Sequence, residues 1–500
     1  MSGATTNNNT ELAIPEFKQI MGHPAPLWML FMTEFWERFA FYGIRWALVL
    51  YVVAQFYHGD AIGESPANLV YGSYLALVYA AALVGGYVAD RIIGYQRSIL
   101  TGAAFMSAGL FMIALPNQTI FQIGLATIIV GNGMFKPNIS TLVGKLYSLA
   151  DTRRDSGFTI FYMGINTGAL IAPVLTEWLA SAIFGNGGMP AYKVVFMASG
   201  VGMLLSLVWF FIGRAQLKGI GAPDAVTGSP KRQIGVIIGS LCVIPLVYLL
   251  LAAGANNLQM VLSVMFVVLA IMLMVEGIRN GKVARDKVIA MLVIFFFNIM
   301  FWCFFEQAGS SFTFLAEKIV NREMFNWTFP VAWFQTVNSL AIIVCAPIIA
   351  FIWVKMGSKN PSIPRKFGLG LIFNASAFAL LMYALSMLVD VNNKIPFWTL
   401  FMVYVLQSIG ELCLSPIGLS MVTKLAPTRL VGLGMGGWFL STGIGNNLSG
   451  IFASAVSGES GMSVPSALQG YTFGFYSLMA GGVLLFLIAP LIQKLMHGVK

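Results

Sequence analysis

Long apolar runs, broken by short clusters of Gly, Pro, Asn and charge, repeat along almost the whole chain. A bilayer-crossing helix needs about 20 predominantly apolar residues. Runs of that length are predicted near 26–56, 67–90, 97–115, 119–147, 155–183, 192–213, 234–254, 257–278, 288–317, 328–354, 367–389, 395–424, 430–456 and 471–493. The pattern predicts an all-α polytopic membrane protein of fourteen transmembrane helices, with both termini on one side. The seventh and eighth runs read as an insertion. The stretch 215–233, AQLKGIGAPDAVTGSPKRQ, is a polar Gly/Pro-rich linker, and the pair after it has no charged residue before Glu276. Setting it aside leaves six helices on either side. The expected organisation is a tail over 1–25, a six-helix bundle over 26–214, a linker and inserted hairpin over 215–287, and a second six-helix bundle over 288–500. Two such halves around a midplane site are a common transporter plan.

Composition agrees with this class. Of 500 residues, 58% are hydrophobic and 10% charged, against roughly 25% charged in a soluble domain. The polar start MSGATTNNNTELAIPEF lacks an apolar h-region and reads as a tail, not a cleaved signal. Cys242, Cys303, Cys345 and Cys413 all sit in apolar runs without metal-type spacing, so they read as packing residues. A net charge of +10 raises the question of nucleic acid, but its distribution answers it. With a cytoplasmic N-terminus, 22 of the 29 Lys and Arg fall in inside segments and four in outside ones, Lys193, Lys318, Arg322 and Lys394. This positive-inside asymmetry makes the basic charge a topology signal.

The informative residues are ionisable groups deep inside the spans. The first span carries Glu34, Glu37, Arg38, Tyr42 and Arg45, whose spacing places them on one helical face. The fourth carries Lys136, the ninth Glu306 and the twelfth Glu411. Each charge at the bilayer centre costs roughly 2.5–3.5 kcal/mol. The seven together would cost about 20 kcal/mol in lipid, more than the stability of a domain. They must pair or line a wet cavity. One isolated pair would read as structural, but seven groups spread over four helices in both halves read as an ion or substrate path. Four acids face three bases, which leaves one carboxylate to exchange a proton. The spans hold no metal-ligand cluster and no Ser/His/Asp set, so no enzymatic activity and no cofactor are expected. An ion channel would need repeated pore-lining rings or a filter, and two unlike halves offer neither.

The segment Glu34-Phe-Trp-Glu37-Arg38-Phe-Ala-Phe41-Tyr42-Gly43 resembles the ExxERFxYYG signature of the proton-dependent oligopeptide transporters, within the major facilitator superfamily. Phe41 replaces the first tyrosine of that signature. Gly86-Tyr-Val-Ala-Asp90-Arg91, with Gly94 and Arg97, resembles the superfamily's loop after the second helix, and Phe161-Tyr162-Met-Gly-Ile-Asn166-Thr-Gly168 resembles the FYxxINxG motif. The stretches around Lys136, Glu306, Trp333-Phe334-Gln335…Asn338 and Gly410-Glu411…Ser415-Pro416 are similar as well. Bacterial members also carry an extra helix pair between the halves.

This resemblance implies a proton-coupled symporter importing di- and tripeptides across a bacterial inner membrane. The proton gradient would be the energy source, with no nucleic acid or obligate protein partner. It implies that Arg45 and Lys136 hold the peptide carboxylate, while Glu411, Asn166 and Asn338 hold the amino end, with Ser415 beside them. Glu34, Glu37 and Arg38 would form the proton-coupling cluster, and Arg45 would exchange partners with Glu306. Tyr42, Tyr79, Trp302 and Trp438 are candidates for side-chain pockets, and Asp90 with Arg91 and Arg97 for a gate-side ionic hinge. The alternative is a relative carrying another small anion or amino-acid-like solute; Glu411 favours a substrate with an amine.

Overall fold

The computed structural model describes residues 14–148, 151–186, 190–224 and 228–499, apart from the side chains of Pro416 and Leu419. The expected N-terminal tail is therefore described only from Ile14 onward. The first seven helices are α1 (Ala25–Arg45), α2 (Ala47–Phe56), α3 (Glu64–Val88), α4 (Tyr95–Ile113), α5 (Gln118–Lys145), α6 (Arg154–Trp178) and α7 (Tyr192–Gly213). After the linker come α8 (Pro230–Ala252) and α9 (Ala255–Arg279). The last group is α10 (Lys282–Phe305), α11 (Ser311–Lys318), α12 (Phe334–Met356), α13 (Ile363–Met387), α14 (Phe397–Leu425), α15 (Val431–Ser457) and α16 (Val464–Leu495). Two two-residue β-hairpins, Gln19–Ile20 with His23–Pro24 and Glu323–Met324 with Trp327–Thr328, and several short 3-10 and π turns accompany the helices.

Eleven of these helices are long and apolar enough to cross a membrane, or twelve when the bent pair α1 and α2 counts as one span. The expected fourteen exceeds that count by two. The difference falls on α4 and α15, whose sequences carry small and polar residues where a lipid-facing helix carries Leu and Val. Both are packed inside the protein: Gly102 and Gly109 of α4 abut the backbone of α5 at Gly131 and Gly124, and Gly450 of α15 abuts Gly72 of α3. Helices that approach this closely use small residues and meet little lipid, so they need less apolar surface.

Two expected spans are interrupted. The run 26–56 bends by 44° between α1 and α2, immediately after Arg45. The run 288–317 breaks between α10 and α11 over Glu306–Ser310. Backbone groups freed at membrane depth must find partners. The Glu306 carbonyl accepts from Ser449 Oγ at 2.7 Å, and the Ala308 carbonyl accepts from Gln335 Nε2 at 3.0 Å and Thr313 Oγ1 at 2.9 Å. Gly309 lies against the Tyr71 phenol with no room for a side chain. Neighbouring helices thus hold the break open.

Helices α1 to α7 pack chiefly among themselves, as do α10 to α16, and α3 against α15 and α6 against α12 join the two groups. The inserted pair divides unequally between them: α8 packs chiefly on α5, whereas α9 packs chiefly on α15 and α10, both also touch α3, and the two barely touch each other. Gly254, at φ +86°, makes their tight turn.

Candidate functional site

The face predicted on α1 is present and turns inward: Glu34 and Glu37 are fully buried, and Arg38 and Arg45 nearly so. Arg38 grips the Glu37 carboxylate with two nitrogens and lies 3.5 Å from Glu34 Oε1, one helical turn away. Helix α5 completes the cluster. Lys136 Nζ donates to Glu34 Oε1 at 2.9 Å, and Asn132 Nδ2 donates to Glu37 Oε1 at 3.2 Å. Pro137 follows Lys136 inside α5, where proline removes a helical hydrogen bond and permits a kink. Glu34 Oε2 is buried without a hydrogen-bond partner. That atom is an open acceptor position inside the cluster.

Arg45 is the last residue of α1, where exposed carbonyls favour a cation. Its Nη2 meets Glu306 Oε2 at 2.6 Å, and its Nε donates to the Tyr71 hydroxyl at 3.1 Å. Glu306 caps the C-terminal end of α10, where the helix dipole disfavours a carboxylate. Its anion therefore relies on Arg45, across the interface between the two helix groups. Tyr42 lies between the cations, with its ring centroid 6.0 Å from the Arg38 guanidinium and 5.5 Å from that of Arg45. The Phe41 ring lies 4.6 Å from Arg38. A ring face serves that contact without a hydroxyl, so the departure from the expected tyrosine leaves it intact.

In the second group, Glu411 of α14 is half-buried and its Oε2 accepts from Asn338 Nδ2 at 3.2 Å. Asn338 Nδ2 also reaches Ser408 Oγ at 2.9 Å. Ser415 Oγ is buried with no hydrogen-bond partner. Asn166 spends its amide on the Tyr162 carbonyl one turn back, at 2.9 Å.

The other candidates differ in how they stand to this centre. Trp438 is buried against Phe295 and Phe367, with ring centroids 6.2 and 6.1 Å away, and packs on Gly418. It packs in the core of its helix group. Trp302 is half-buried and donates to Asn298 Oδ1 at 3.0 Å, and Tyr79 is half-buried two turns beyond Tyr71 on α3. Asp90 accepts from the Tyr95 hydroxyl, and Arg97 donates to the Gly228 carbonyl at 3.0 Å. Among the described residues no ion pair joins Asp90 to Arg91 or Arg97, so the expected ionic hinge is not formed in this conformation. Nor does any group of three His, Cys, Asp or Glu side chains among them form a metal site.

Sequence reasoning missed Tyr71, Asn132 and a polar seam between the helix groups. Asn68 Nδ2 donates to the Ala453 carbonyl at 3.1 Å and to Ser457 Oγ at 3.0 Å, and Ser65 pairs with Ser454. Ser73 donates to Asn447 Oδ1 at 3.1 Å. Buried Glu64 pairs with Lys318 and accepts from the Met462 amide at 2.7 Å. These bonds lie level with Arg45–Glu306 or beyond it, toward the α2–α3 and α15–α16 connections. That end of the interface is closed.

A sequence model described as the POT family matches residues 96–466. Peptide transporter YePEPT of Yersinia enterocolitica subsp. palearctica is 34% identical, with 99% of each chain covered. Dipeptide and tripeptide permease A of Yersinia pestis is also 34% identical, over 99% of this chain and 95% of that one. The crystal structure of a mutant of peptide transporter POT in complex with alafosfalin is 31% identical with a TM-score of 0.82, covering 96% of this chain and 97% of that one.

Proposed function

This chain belongs to the POT family, and from that premise we propose that it imports di- and tripeptides together with protons by alternating access. Residues 26–214 and 288–500 are the two rocking halves, and 215–287 the linker and inserted hairpin. Both termini face the cytoplasm of a bacterial inner membrane, as the positive-inside pattern supports. The closed seam then lies on the outer side, which supports reading this conformation as inward-facing.

The observation that carries the proposal is the Arg45–Glu306 pair, 2.6 Å long and formed between the halves. A contact that exists in one state and not the other biases the equilibrium between them. Protonation of Glu306 removes its attraction for Arg45 and frees the guanidinium for a peptide carboxylate, with Lys136 as the second cation. At the other end, Glu411, steered by Asn338 and with Ser415 and Asn166 nearby, receives the peptide's ammonium. Glu34, Glu37 and Arg38 supply the proton-binding cluster, with Tyr42, Tyr79 and Trp302 lining the path between. A short zwitterion carries opposite charges at its two ends, so cations on one wall and an acid on the other fix its orientation. The direct test uses proteoliposomes containing the full chain. Labelled dipeptide should accumulate under an inward proton gradient, collapse with an uncoupler, and be displaced by di- and tripeptides but not tetrapeptides. Accumulation that survives the uncoupler and requires sodium would overturn the reading.

A further inference from the structure

A second cavity lies away from the charged centre. Between α8 and the paired helices α3 and α5 runs a crevice of about 720 Å³, walled almost entirely by aliphatic side chains such as Leu77, Val84, Ile129 and Val243. It extends along α8 from Arg232 to Val247, or about 22 Å at 1.5 Å per residue. That span exceeds the roughly 15 Å of one leaflet's hydrocarbon. The glycines lining it behave in two ways. Gly85 and Gly133 abut backbone, at Gly133 and Ala81 respectively, and draw α3 and α5 together. Gly235 and Gly239, one turn apart on α8, have nothing within 4 Å of where a Cβ would sit. Membrane helices generally use glycine to approach one another, but Gly235 and Gly239 face the crevice and widen it beside the contacts of α8 with α5 and α3.

A dry void this large would forfeit the dispersion contacts of every side chain lining it. Water is a poor filler, because a buried water needs two to four polar partners, and the wall offers little beyond Ser240, whose hydroxyl contacts Met134 Sδ at 3.8 Å. The surrounding solvent at this depth is lipid. Charge enters only at one end, where Arg232 lines the mouth, preceded by Lys231 on α8 and sharing the crevice with Ile92 in the turn that follows α3, beside Arg91. Basic residues at the end of an intramembrane groove recognise anionic head groups. We propose that this crevice is a binding site for one anionic phospholipid, with an acyl chain along α8 and its phosphate at Arg232. The bound lipid fills the space beside the direct contacts of α8 with α5 and α3 and fastens the inserted helix to the first half.

Native mass spectrometry of the full chain, equilibrated with equal phosphatidylglycerol and phosphatidylcholine, tests this. Wild type should retain one phosphatidylglycerol with a preference of about five-fold, the size that one basic side chain near a membrane surface supplies. Arg232→Gln should keep a lipid but lose the preference, and Gly239→Phe, which fills the crevice, should lose the lipid. Gly235→Leu narrows the same groove and serves if the bulkier variant does not fold. Soluble glycerol phosphate should not displace the bound species. Equal retention by wild type and the filled variants, no preference between the two lipids in wild type, or displacement by glycerol phosphate would each overturn the proposal.

Discussion

The two halves of the molecule treat buried charge in opposite ways. In the first half, Glu34, Glu37, Arg38 and Lys136 pair among themselves on α1 and α5. In the second half, neither deep carboxylate has a cation of its own: Glu306 borrows Arg45 from across the interface, and Glu411 has the neutral amide of Asn338. Pairs inside one half persist while the halves move as bodies. Pairs between halves form and break with the motion. The first region is therefore built to keep its partners through the cycle, and the second to report which state the protein is in.

Four substitutions sharpen or break this contrast. The largest effect is expected from Arg38→Gln, which strips two buried carboxylates of their shared partner. Removing one member of a buried pair costs about 3–5 kcal/mol, a large part of a typical 5–15 kcal/mol stability. Thermal unfolding in detergent should show a severely lowered midpoint; an unchanged midpoint would mean that the cluster is not self-sufficient. Glu306→Gln should spare folding but uncouple transport. Gradient-driven accumulation should fall by about 5–150-fold, the range of ordinary coupling energies, while exchange of labelled for unlabelled peptide continues. Electron–electron resonance distances between the halves should then lose their pH dependence; wild-type distances already independent of pH would make the pair purely structural.

Glu411→Gln should weaken a free dipeptide by about ten-fold or more, since hydrogen bonds to charged groups contribute about 1.5–3 kcal/mol. A dipeptide with a blocked N-terminus should bind the variant and wild type alike. Equal losses for both peptides in a titration would remove Glu411 from the ammonium site. The smallest effect is expected from Tyr71→Phe, which deletes the neutral hydroxyl that accepts from Arg45 Nε and orients the guanidinium toward Glu306. About 1 kcal/mol of preference for the closed seam should disappear, read as a several-fold shift in the inward-facing population rather than a loss of transport.

Much of this centre was legible because its residues break a strong rule. A charge amid twenty apolar residues is conspicuous, and helical spacing alone aligned Glu34, Glu37, Arg38 and Arg45. Asn132 carried a weaker signal, one turn before Lys136 on the same face. Tyr71 carried none, being one of 16 tyrosines whose role depends on a break in another helix. That break was hidden as well. The run through FFEQAGSSF keeps its apolar average, and it opens because Ser449, Gln335 and Tyr71, distant in sequence, meet the freed backbone. Glu64 reads as an ordinary interfacial acid until Lys318 and the Met462 amide close over it. The burial of Trp438 against Phe295 and Phe367 was hidden for the same reason, since an aromatic in a helix does not announce whether it faces a cavity or a neighbouring ring.

The divided seating of the inserted pair makes it a protractor. Helix α8 rests on one half and α9 on the other, with Gly254 as the vertex, and Asn447 bonds α9 at the Ala255 carbonyl and Gln259 Oε1, at 2.8 and 2.9 Å, while receiving Ser73 of the first half. Any angle swept between the halves must be copied by the arms. Fluorophores at Lys231 and Arg279, the far ends of those arms, would convert each turnover into a change in energy transfer, without touching the peptide path. A constant signal during uptake would mean that one arm slips on its half, and comparing labels on each arm against its own bundle would identify which.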